Sequence, residues 1–465
     1  MDQLSRTPEL LVRLDRRSGE TLSAQLERQL REAIREGRLK PGTVLPSTRA
    51  LAAQLGISRG LVVGAYGQLG AEGYLVLRRG ATARVARAVS RPVLLEPEPH
   101  EQRPRYNLRP DLPDYAGFPR EEWAKSYRAA LKRAPDGELA YGDVRGSPGL
   151  RAALASYLGR ARGVAGGPEH TFVCGGFAQA VGLLCGVLRR LGRETIGIEN
   201  PGHAVVREIV ARTGLRTVPI PVDEEGIDVE ALDRTGADAV LVTPAHQFPT
   251  GVVLSPDRRA ALLAWAERWD AIVVEDDYDA EFRYDRAPVG ALKGLAPERV
   301  AYLGSASKTL APALRLGWLV APSALVRPLA DQVLYSFIAP PRFEQLAFAD
   351  FLERGELDRH LRRMRVRYRS RRDVLVLALE RELPDVQVRG IAAGLHVVGV
   401  LPAGTDEPRV LAEARARGIG LYGLGEHRVG APGEPALLLG YAVSKEPAIR
   451  TAVQALAEAV EAAET

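Results

Sequence analysis

Cysteine and long apolar runs are scarce in this sequence of 465 residues. Cys174 and Cys185 are the only cysteines, too few for a disulfide framework or a zinc cluster, and we expect no metal site. No run of about 18 uncharged apolar residues is present to span a bilayer, and the N-terminus lacks the basic-then-apolar layout of a secretory signal. These absences exclude a disulfide-rich secreted protein and an integral membrane protein, and we expect a cytoplasmic one.

Lysine is also rare, with six lysines against 57 arginines. One of them, Lys308, follows Ser305 and Ser307 in the stretch AYLGSASKTLAPALRLGWLVAP, residues 301–322. Arginine is always charged, whereas a lysine that is partly removed from water can lose its proton and act as a nucleophile. Because this chain takes its positive charge from arginine almost everywhere else, Lys308 is a candidate for amine chemistry.

The length and the charge distribution indicate more than one domain. A chain of 465 residues exceeds the size at which one hydrophobic core usually stops growing. The net charge is +8 over residues 1–91 and −3 over the rest of the chain. We therefore expect a small basic domain with a polyanion as its partner, joined to a large domain that is nearly neutral.

The first ninety residues carry the pattern of a helix-turn-helix with a wing. Apolar residues recur at helical spacing over residues 22–34. Two short helices follow, which Ser47 and Ser58 can cap and which end at Gly56 and near Gly73. The next stretch, YLVLRRGATARVA, alternates apolar residues around a glycine, as a two-stranded wing does.

This layout fits DNA binding, because the first turn of the second short helix presents backbone amides and polar side chains to phosphates or base edges. Arginines of the wing would add contacts to the DNA backbone. The alternative is a small helical packing module whose arginines are only solvated. The candidate DNA contacts are Arg49, Ser58, Arg59, Arg78, Arg79 and Gly80.

The string GRLKPGTVLPSTRALAAQLGISR, followed by AYGQLGAEGYLVLRRGAT, resembles the winged helix of the GntR-type bacterial transcription regulators. The resemblance implies that this domain binds a double-stranded DNA operator. One residue departs from the family pattern. Leu61 stands where these regulators usually carry a threonine that bonds to the DNA backbone, so that contact is missing or replaced.

A tether follows the winged helix. The stretch ARAVSRPVLLEPEPHEQRPR contains four prolines and little apolar periodicity, a composition typical of an extended, semi-rigid linker. The alternative is a surface loop inside one domain, but the charge balance changes across the stretch. We therefore predict a DNA-binding domain over residues 1–86, a linker over 87–105 and a large domain over 106–465.

Beyond the tether, β-branched runs alternate with helical stretches such as SPDRRAALLAWAERW. The runs include ETIGIEN, LRTVPIPV, AVLVTPA and AIVVEDDY, and they are interpreted as strands buried on both faces. The pattern predicts an α/β domain with a mostly parallel sheet between helices, followed by a small C-terminal α/β subdomain. In such sheets the ligand binds at the carboxyl ends of the strands.

Three of these strand ends carry residues that suit one cofactor. Asp276 and Tyr278 follow one strand, Lys308 follows another, and Gly175-Gly176 opens a helix whose free amides suit a phosphate. A lysine forms an imine with an aldehyde, and a facing carboxylate keeps a pyridine nitrogen protonated. Together they indicate that Lys308 bonds covalently to pyridoxal 5'-phosphate (PLP). Taken singly, they are more often a solvated strand end, a capped turn and a tight turn.

The chain from Tyr106 onwards resembles the class I/II aminotransferases of fold type I, through YGDVRGSPGLRAALASYL, ENPGH, PTG, EDDYDAEFRY and SASKTLAPALRLGWLVAP. A winged helix, a tether and such a domain in this order resemble the MocR/GabR-type regulators. The resemblance implies a PLP-dependent domain in which Lys308 is the internal-aldimine lysine. It also implies that Asp276 pairs with the ring nitrogen and that Tyr278 hydrogen-bonds the ring hydroxyl.

The same resemblance implies the other cofactor contacts. His203 would stack on the ring where relatives usually carry tyrosine, with a surface histidine on a turn as the alternative. The phosphate would be held by Ser305, Ser307, Arg315 and the backbone amides of Gly176 and Phe177.

Two departures from the aminotransferase pattern bear on function. Phe248 stands before PTG where aminotransferases have an asparagine that bonds the ring hydroxyl, so His246 or Gln247 is the candidate for a replacing contact. Residues 436–438 are Ala-Leu-Leu where aminotransferases place the arginine that grips the substrate carboxylate. Arg428 lies nearby on a predicted loop and is the candidate in this chain for replacing it.

Three functions are compatible with these features. The first is a regulator whose large domain binds PLP, alone or with an amino acid, with little or no turnover, and relays occupancy to the winged helix. Such relatives form domain-swapped, head-to-tail homodimers, and the missing arginine favours the subtype whose effector is the cofactor and which controls vitamin B6 synthesis. The second is an active aminotransferase with an accessory domain, and the third is a cofactor-free dimerisation platform.

Overall fold

The computed structural model describes residues 12–87, 104–110, 112–285, 289–336 and 340–464. The chain divides into two compact units, residues 1–102 and 103–465. Most of the stretch interpreted as a linker, namely residues 88–103, lies outside the described residues.

The N-terminal unit is a three-helix domain with a small hairpin. Its elements are α1 (Leu22–Arg35), α2 (Thr48–Leu55), α3 (Arg59–Ala71), β1 (Leu75–Val76) and β2 (Arg84–Val85). The two strands pair antiparallel, with Leu75 opposite Val85, and the arginine-glycine segment between them forms the wing tip. The predicted helix-turn-helix and wing are therefore confirmed.

The helix boundaries of this unit follow the predicted caps. The Ser47 hydroxyl accepts from the amide of Ala50 at 3.2 Å, and the Ser58 hydroxyl accepts from the amide of Leu61 at 3.4 Å. Between the two helices, Gly56 adopts the left-handed conformation (φ 62°) that ends α2. The apolar faces of the helices meet in one core, built from fully buried side chains such as Leu26, Leu30, Leu51, Val62 and Leu69.

The large unit alternates helices and strands. Its helices are α4 (Arg120–Arg133), α5 (Pro148–Arg162), α6 (Phe177–Arg190), α7 (Ala204–Thr213), α8 (Val229–Asp233), α9 (Pro256–Arg268), α10 (Ala306–Thr309), α11 (Ser323–Ser336), α12 (Arg342–Glu353), α13 (Glu356–Glu382), α14 (Glu407–Ala416) and α15 (Glu446–Glu464). Its strands are β3 (Tyr106–Asn107), β4 (Thr171–Cys174), β5 (Thr195–Asn200), β6 (Arg216–Asp223), β7 (Gly226–Ile227), β8 (Ala239–Val242), β9 (Ile272–Asp276), β10 (Val300–Ser305), β11 (Gly317–Val320), β12 (Gln387–Arg389), β13 (His396–Val400), β14 (Ile419–Gly420), β15 (Tyr422–Gly423) and β16 (Ala436–Gly440).

Eight strands form the central sheet, in the order β4-β11-β10-β9-β8-β5-β6-β7. The pairs from β10 to β6 are parallel, whereas β11 runs antiparallel to both of its neighbours and β7 runs antiparallel to β6. The carboxyl ends of β4, β5, β8, β9 and β10 therefore meet at one edge of the sheet. The predicted mostly parallel sheet is confirmed, and this edge is where a ligand is expected.

Burial explains why most of these runs form strands. Every residue of β4, β8, β9 and β10 is buried, because helices pack apolar side chains against both faces of the sheet. The interpretation of LRTVPIPV as buried on both faces is wrong. In β6 only Ile220 is buried, because this strand contributes to the apolar core on one face of the sheet and has no residue in the core on the other face.

The C-terminal part folds on a second, smaller sheet. Its strands lie in the order β12-β13-β16-β15 and all pair antiparallel. The long helix α13 and the helices α14 and α15 contribute buried side chains to the core that includes β13 and β16. This is the small α/β subdomain that the sequence predicts.

None of the helices in the described ranges combines the length and the apolar composition that crossing a bilayer requires. Cys174 and Cys185 are both buried and both are free thiols.

Candidate functional site

A cavity of about 360 Å³ opens at the carboxyl edge of the central sheet. A volume in this range suits a small molecule or a cofactor. All nine residues that were predicted to bind the cofactor line this one cavity: Gly176, Phe177, His203, Asp276, Tyr278, Ser305, Ser307, Lys308 and Arg315. The sheet topology brings these residues together, because they lie at or shortly after the carboxyl ends of β4, β5, β9 and β10, although they are far apart in the sequence.

One end of the cavity is built to hold an anion. Gly176 stands at the N-cap of α6 with a φ of 116°, so no side chain occupies the cap and the first amides of the helix stay free. A Cβ on Gly176 would lie 4.0 Å from Ser307 Oγ, which places that hydroxyl beside the helix N-terminus. Gly317 permits this arrangement, because a Cβ there would lie 2.6 Å from the Cα of Gly176.

Three more donors complete this end. The hydroxyls of Ser305 and Ser307 and the guanidinium of Arg315 line the cavity, and none of them hydrogen-bonds another described side chain. Arg315 adopts a left-handed backbone conformation (φ 50°), which is costly for a residue with a side chain. Backbone amides at a helix N-terminus, two hydroxyls and an arginine are the donor set that a phosphate requires.

The acidic run Glu275-Asp276-Asp277 distributes its three carboxylates among different tasks. Glu275 accepts from the backbone amides of Leu292 and Lys293 at 2.8 and 3.0 Å. The Asp277 carboxylate accepts from the buried Arg162 at 2.7 and 3.1 Å and from the hydroxyl of Tyr302 at 2.6 Å. Asp276 alone lines the cavity.

The environment of the Asp276 carboxylate favours pairing with a cation. Its burial, together with the charges of Asp277 and Asp279, raises its pKa well above the usual value, whereas the charge of Lys308 acts in the opposite direction. It makes no hydrogen bond to another described residue. A protonated pyridine nitrogen would supply the donor and the positive charge that this carboxylate lacks.

Behind Tyr278 lies a buried histidine-aspartate pair. His246 Nδ1 is 2.9 Å from Asp279 Oδ2 and 3.1 Å from the Tyr278 hydroxyl. A carboxylate only accepts, so Nδ1 donates to Asp279, and the Tyr278 hydroxyl also hydrogen-bonds the Asp279 carboxylate. Removal from water and the charge of Asp279 raise the pKa of Tyr278 well above its usual value, so the hydroxyl keeps its proton.

An aromatic wall closes one side of the cavity. The ring of His203 lies 6.0 Å from that of Phe177 in a stacked arrangement and 5.3 Å from that of Phe248. Phe248 in turn meets the ring of Tyr278 edge-on at 6.1 Å. His203 is therefore placed where it can stack on a planar ligand, as the resemblance implies.

The replacing contact expected from His246 or Gln247 is not found in the cavity wall. His246 supports Tyr278 from behind, and the amide of Gln247 donates to Glu199 Oε2 at 3.1 Å and to the carbonyls of Pro201 and Phe248. Both side chains are buried. Phe248 therefore faces the cavity with an apolar ring at the position where aminotransferases have asparagine.

Glu199 is a cavity residue that sequence reasoning missed. Its Oε2 accepts from the amide of Thr243 at 3.2 Å and from the Thr243 hydroxyl at 2.6 Å, in addition to Gln247. Burial raises its pKa to about 7, although these hydrogen bonds oppose the shift. Arg207, on α7, is the second cavity residue that the sequence did not indicate. The feature of the sequence that could have indicated Glu199 is its position near the end of a predicted strand, the edge at which ligands bind.

Arg428 lies away from this cavity. It lines a second cavity of about 820 Å³ in the C-terminal subdomain, together with Glu407 and Arg415. Its guanidinium packs against Gly433, where a Cβ would lie within 2 Å of Nη1. Residues 436–438 belong to the fully buried strand β16. The structure therefore brings neither Arg428 nor another residue of this stretch to Lys308.

The predicted DNA contacts all lie on the surface of the N-terminal unit. The side chains of Arg49, Ser58, Arg59, Arg78 and Arg79 are exposed, as is Gly80 between the wing strands. Arg59 Nε donates to the hydroxyl of Thr48 at 3.4 Å, which links the starts of α2 and α3. Within the described ranges, no group of three or more His, Cys, Asp or Glu side chains is arranged to hold a metal ion.

These residues fit PLP by their own chemistry. The cavity offers a phosphate-binding end, an aromatic wall, a buried carboxylate without a hydrogen-bond donor and a half-buried lysine in the short helix α10 after β10. A cofactor with a phosphate, a flat ring, a basic ring nitrogen and an aldehyde matches each of these features.

Comparison with known proteins identifies both parts of the chain. Residues 22–85 match the bacterial regulatory proteins of the gntR family, and residues 113–415 match aminotransferase class I and II. The HTH-type pyridoxine biosynthesis transcriptional regulator PdxR of Corynebacterium glutamicum is 35% identical over 461 residues, 97% of this chain and 99% of that protein. The probable rhizopine catabolism regulatory protein MocR of Rhizobium meliloti is 33% identical over 475 residues, 97% and 96% of the two chains.

Solved structures resemble the large unit. The kynurenine aminotransferase of Pyrococcus horikoshii, in complex with PMP, superposes with a TM-score of 0.70 and 27% identity, over 77% of this chain and 91% of that one. The α-aminoadipate aminotransferase LysN of Thermus thermophilus, complexed with N-(5'-phosphopyridoxyl)-L-leucine, gives a TM-score of 0.70 and 26% identity over 77% and 92%. The chain therefore belongs to the MocR-type transcription regulators, in which a GntR-type DNA-binding domain is joined to a fold-type-I aminotransferase-like domain whose cofactor is pyridoxal 5'-phosphate.

Proposed function

We propose that this regulator binds PLP through Lys308 and that occupancy of the cavity controls binding of the winged helix to its operator. The observation that carries the proposal is the convergence of nine predicted residues on one cavity, with Asp276 at the end of β9 and Lys308 in the short helix after the neighbouring strand β10. When bound, the cofactor supplies an aldehyde that an amine captures and a ring that withdraws electrons. The domains are placed at residues 1–86 and 106–465, with the tether at 87–105.

Each cavity residue has a role in this proposal. Lys308 bonds to the aldehyde carbon, Asp276 holds the ring nitrogen protonated, and Tyr278 hydrogen-bonds the ring hydroxyl. His203 stacks on the ring. The phosphate is held by Ser305, Ser307, Arg315 and the amides of Gly176 and Phe177.

The winged helix reads the operator through two sets of contacts. Ser58 and Arg59, at the start of α3, face the major groove, while Arg49 contacts the backbone. Arg78, Arg79 and Gly80 of the wing add contacts to the flanking phosphates. The exposure of all six residues supports this assignment. A protein that binds an operator acts where the DNA lies, and we place it in the cytoplasm.

The cavity favours sensing over steady turnover. A bidentate arginine is the usual clamp that orients a substrate carboxylate, and the residues at the aminotransferase position are apolar and lie in β16. Arg428 lines the other cavity. We therefore expect little or no transamination. The similarity to PdxR of Corynebacterium glutamicum supports genes of vitamin B6 synthesis as the target and the cofactor as an effector.

We further propose a head-to-tail homodimer with exchanged DNA-binding domains. The large unit exposes apolar side chains that a partner would cover, with Leu139 69% exposed and Tyr141 fully exposed. Leu131 on α4 is also exposed. Exposed apolar patches of this kind mark protein interfaces. Sedimentation of the purified protein tests this point, and a monomer at micromolar concentration would contradict it.

The test of the sensor function uses Lys308→Ala in the full-length protein, with Lys445→Ala, an exposed lysine outside the cavity, as the matched control. Lys308→Ala abolishes the imine absorbance and removes the effect of PLP on operator affinity, while affinity for unrelated DNA stays unchanged. Lys445→Ala behaves like the wild type. If operator binding by Lys308→Ala still responds fully to PLP, the sensor proposal is wrong. Steady conversion of an amino acid to its keto acid by the wild type would favour the aminotransferase.

A further inference from the structure

The second helix of the helix-turn-helix, α3, has one buried and one exposed face. Four side chains of the buried face pack in the core of the N-terminal unit: Val62, Ala65, Tyr66 and Leu69. The exposed face over residues 59–67 consists of Arg59, Gly60, Val63, Gly64 and Gly67. In a helix-turn-helix this helix enters the major groove of DNA. Because glycine has no side chain, the exposed face offers the DNA one guanidinium and one isopropyl group.

Val63 is exposed although it is apolar. It is the one exposed large apolar side chain of α1, α2 and α3, which the structure describes in full, and its exposed fraction is 49%. The other large apolar side chains of these helices are partly or fully buried. Valine is also a weaker helix former than alanine, because its branched side chain is restricted in a helix. Neither packing nor helix formation therefore explains a valine at this position.

The glycines around Val63 are not required by the fold. A Cβ on Gly64 or Gly67 would meet no other described atom within 4 Å, and a Cβ on Gly60 would lie 3.9 Å from Ser58 Oγ, an ordinary contact distance. Alanine would favour the helix at each of these positions. Without side chains there, the helix backbone can approach the edges of the bases closely, and the Val63 side chain projects beyond its neighbours.

The polar side chains near this face already have partners within the unit, apart from one. The Ser58 oxygen accepts from the amide of Leu61 at 3.4 Å, and the Gln68 amide donates to Glu72 at 2.9 Å. Arg59 is left as the side chain that can hydrogen-bond a base edge, and guanine is the usual partner of an arginine. Any further base recognition by this face depends on apolar contact.

We propose that Val63 recognises a thymine of the operator by contact with its C5-methyl group in the major groove. The methyl group is the apolar feature of a thymine edge there, and apolar side chains recognise thymine through it. Val63 lies one helical turn after Arg59, so the thymine lies about one or two base pairs from the base that Arg59 contacts. The inference rests on the DNA-binding role in the proposed function and adds the base that is recognised.

The experiment compares thymine with uracil, which pairs with adenine in the same way and lacks only the methyl group. The PLP-loaded, full-length wild type first selects an operator from a library of random DNA duplexes. The selected operator is then synthesised with each thymine replaced in turn by uracil, and affinity is measured by fluorescence anisotropy. At one thymine or more, the replacement weakens binding about fourfold, which corresponds to one methyl group that is no longer removed from water.

Two variants locate the effect. Val63→Ala removes the part of the side chain that reaches the methyl group, so its affinities for the thymine and uracil forms differ by less than about twofold. It folds as the wild type does, because the side chain is exposed. Val366→Ala is the matched control, since Val366 is a 74% exposed valine on α13 of the large unit, and this variant keeps the wild-type difference.

Distinct results would overturn this inference and the proposed function. If no thymine of the selected operator shows the loss, or if Val63→Ala keeps it, Val63 does not recognise a thymine methyl group and the inference is wrong. The response of operator affinity to PLP then decides separately whether the proposed sensor function stands. If the wild type selects no operator at all, the DNA-binding part of the proposed function is wrong and the inference fails with it.

Discussion

Asp276, at the end of β9, and Lys308, in the short helix that follows the neighbouring strand β10, line the same cavity, and the charge of Lys308 opposes the rise in the pKa of Asp276. Asp276 ends β9 and lies opposite Leu303 of β10, and Lys308 follows five residues later in the short helix that β10 leads into. The register of two strands thus sets a carboxylate and an amine against one ligand. A ring whose nitrogen meets the carboxylate and whose aldehyde meets the amine satisfies both.

Replacing Asp276 tests the ring-nitrogen contact. Asp276→Asn removes the charge that keeps the ring nitrogen protonated, so PLP affinity falls about tenfold or more. Stability of the cofactor-free protein does not fall, because burial already raises the pKa of this carboxyl well above its usual value. PLP titration by absorbance and urea unfolding measure the two effects. An unchanged PLP affinity would remove Asp276 from the site.

The adjacent Asp277 provides the matched control, because its substitution is expected to lower stability and to leave PLP affinity unchanged. Its side chain and that of Arg162 are only 2% and 1% exposed, and they form an ion pair at 2.7 Å. Asp277→Asn leaves a buried guanidinium without its counter-charge, which lowers the free energy of unfolding by about 3–5 kcal/mol. Its residual PLP affinity, measured at low temperature on the folded fraction, stays near the wild-type value. Equal effects of the two substitutions on PLP affinity would contradict the division of tasks within the acidic run.

Glu199 makes the stability of the cofactor-free protein depend on pH. Burial raises its pKa to about 7 in the folded state, whereas the unfolded value is 4.5. The folded state therefore holds a proton that the unfolded state releases, and the contribution is fully present below pH ~4.5 and is lost as the pH rises to ~7. Glu199→Gln removes this dependence, worth on the order of 3 kcal/mol. Unfolding free energies at pH 5 and pH 8 measure it.

The comparison between variant and wild type isolates Glu199 from other titrating groups. The difference in unfolding free energy between Glu199→Gln and the wild type should be larger, in favour of the variant, at pH 8 than at pH 5. The amide of glutamine still offers an oxygen to the Thr243 donors. A difference that does not change with pH would show that the Glu199 carboxyl is not protonated near neutral pH.

Arg59→Gln tests the placement of the reading helix. If Arg59 contacts a base edge, the substitution weakens binding to the operator by about 1–3 kcal/mol and relaxes sequence specificity. If Arg59 contacts a phosphate, the substitution weakens binding equally for all DNA sequences. PLP uptake stays normal. Arg28→Gln is the control, because Arg28 lies on α1 and pairs with Glu20 at 3.0 Å. Operator affinity is measured at two salt concentrations, and an unchanged value for Arg59→Gln would contradict the placement.

The sequence predicted local features well, because they depend on neighbouring residues. Ser47 and Ser58 cap α2 and α3, because a serine hydroxyl accepts a hydrogen bond from a free amide in the first turn of a helix. Gly176 stands at the N-cap of α6. The strand ends that carry Asp276 and Lys308 follow from buried β-branched runs and from the rule that ligands bind at the carboxyl edge of a parallel sheet.

Features that depend on distant packing were not predicted. The direction of Arg428 depends on how the C-terminal loop packs against Gly433, and the exposure of β6 depends on which face of that strand the apolar core covers. Arg207 has no local signal, because an arginine on an amphipathic helix is usually solvated. Only the tertiary arrangement places it on the wall of the same cavity as Lys308.

The most direct test of the central claim is chemical trapping of the cofactor. Purified protein is loaded with PLP and reduced with borohydride, which converts an imine into a stable amine, and its peptides are analysed by mass spectrometry. We expect a phosphopyridoxyl group on Lys308 and on none of the other five lysines. A group on another lysine, or no modified peptide at full PLP loading, would contradict it.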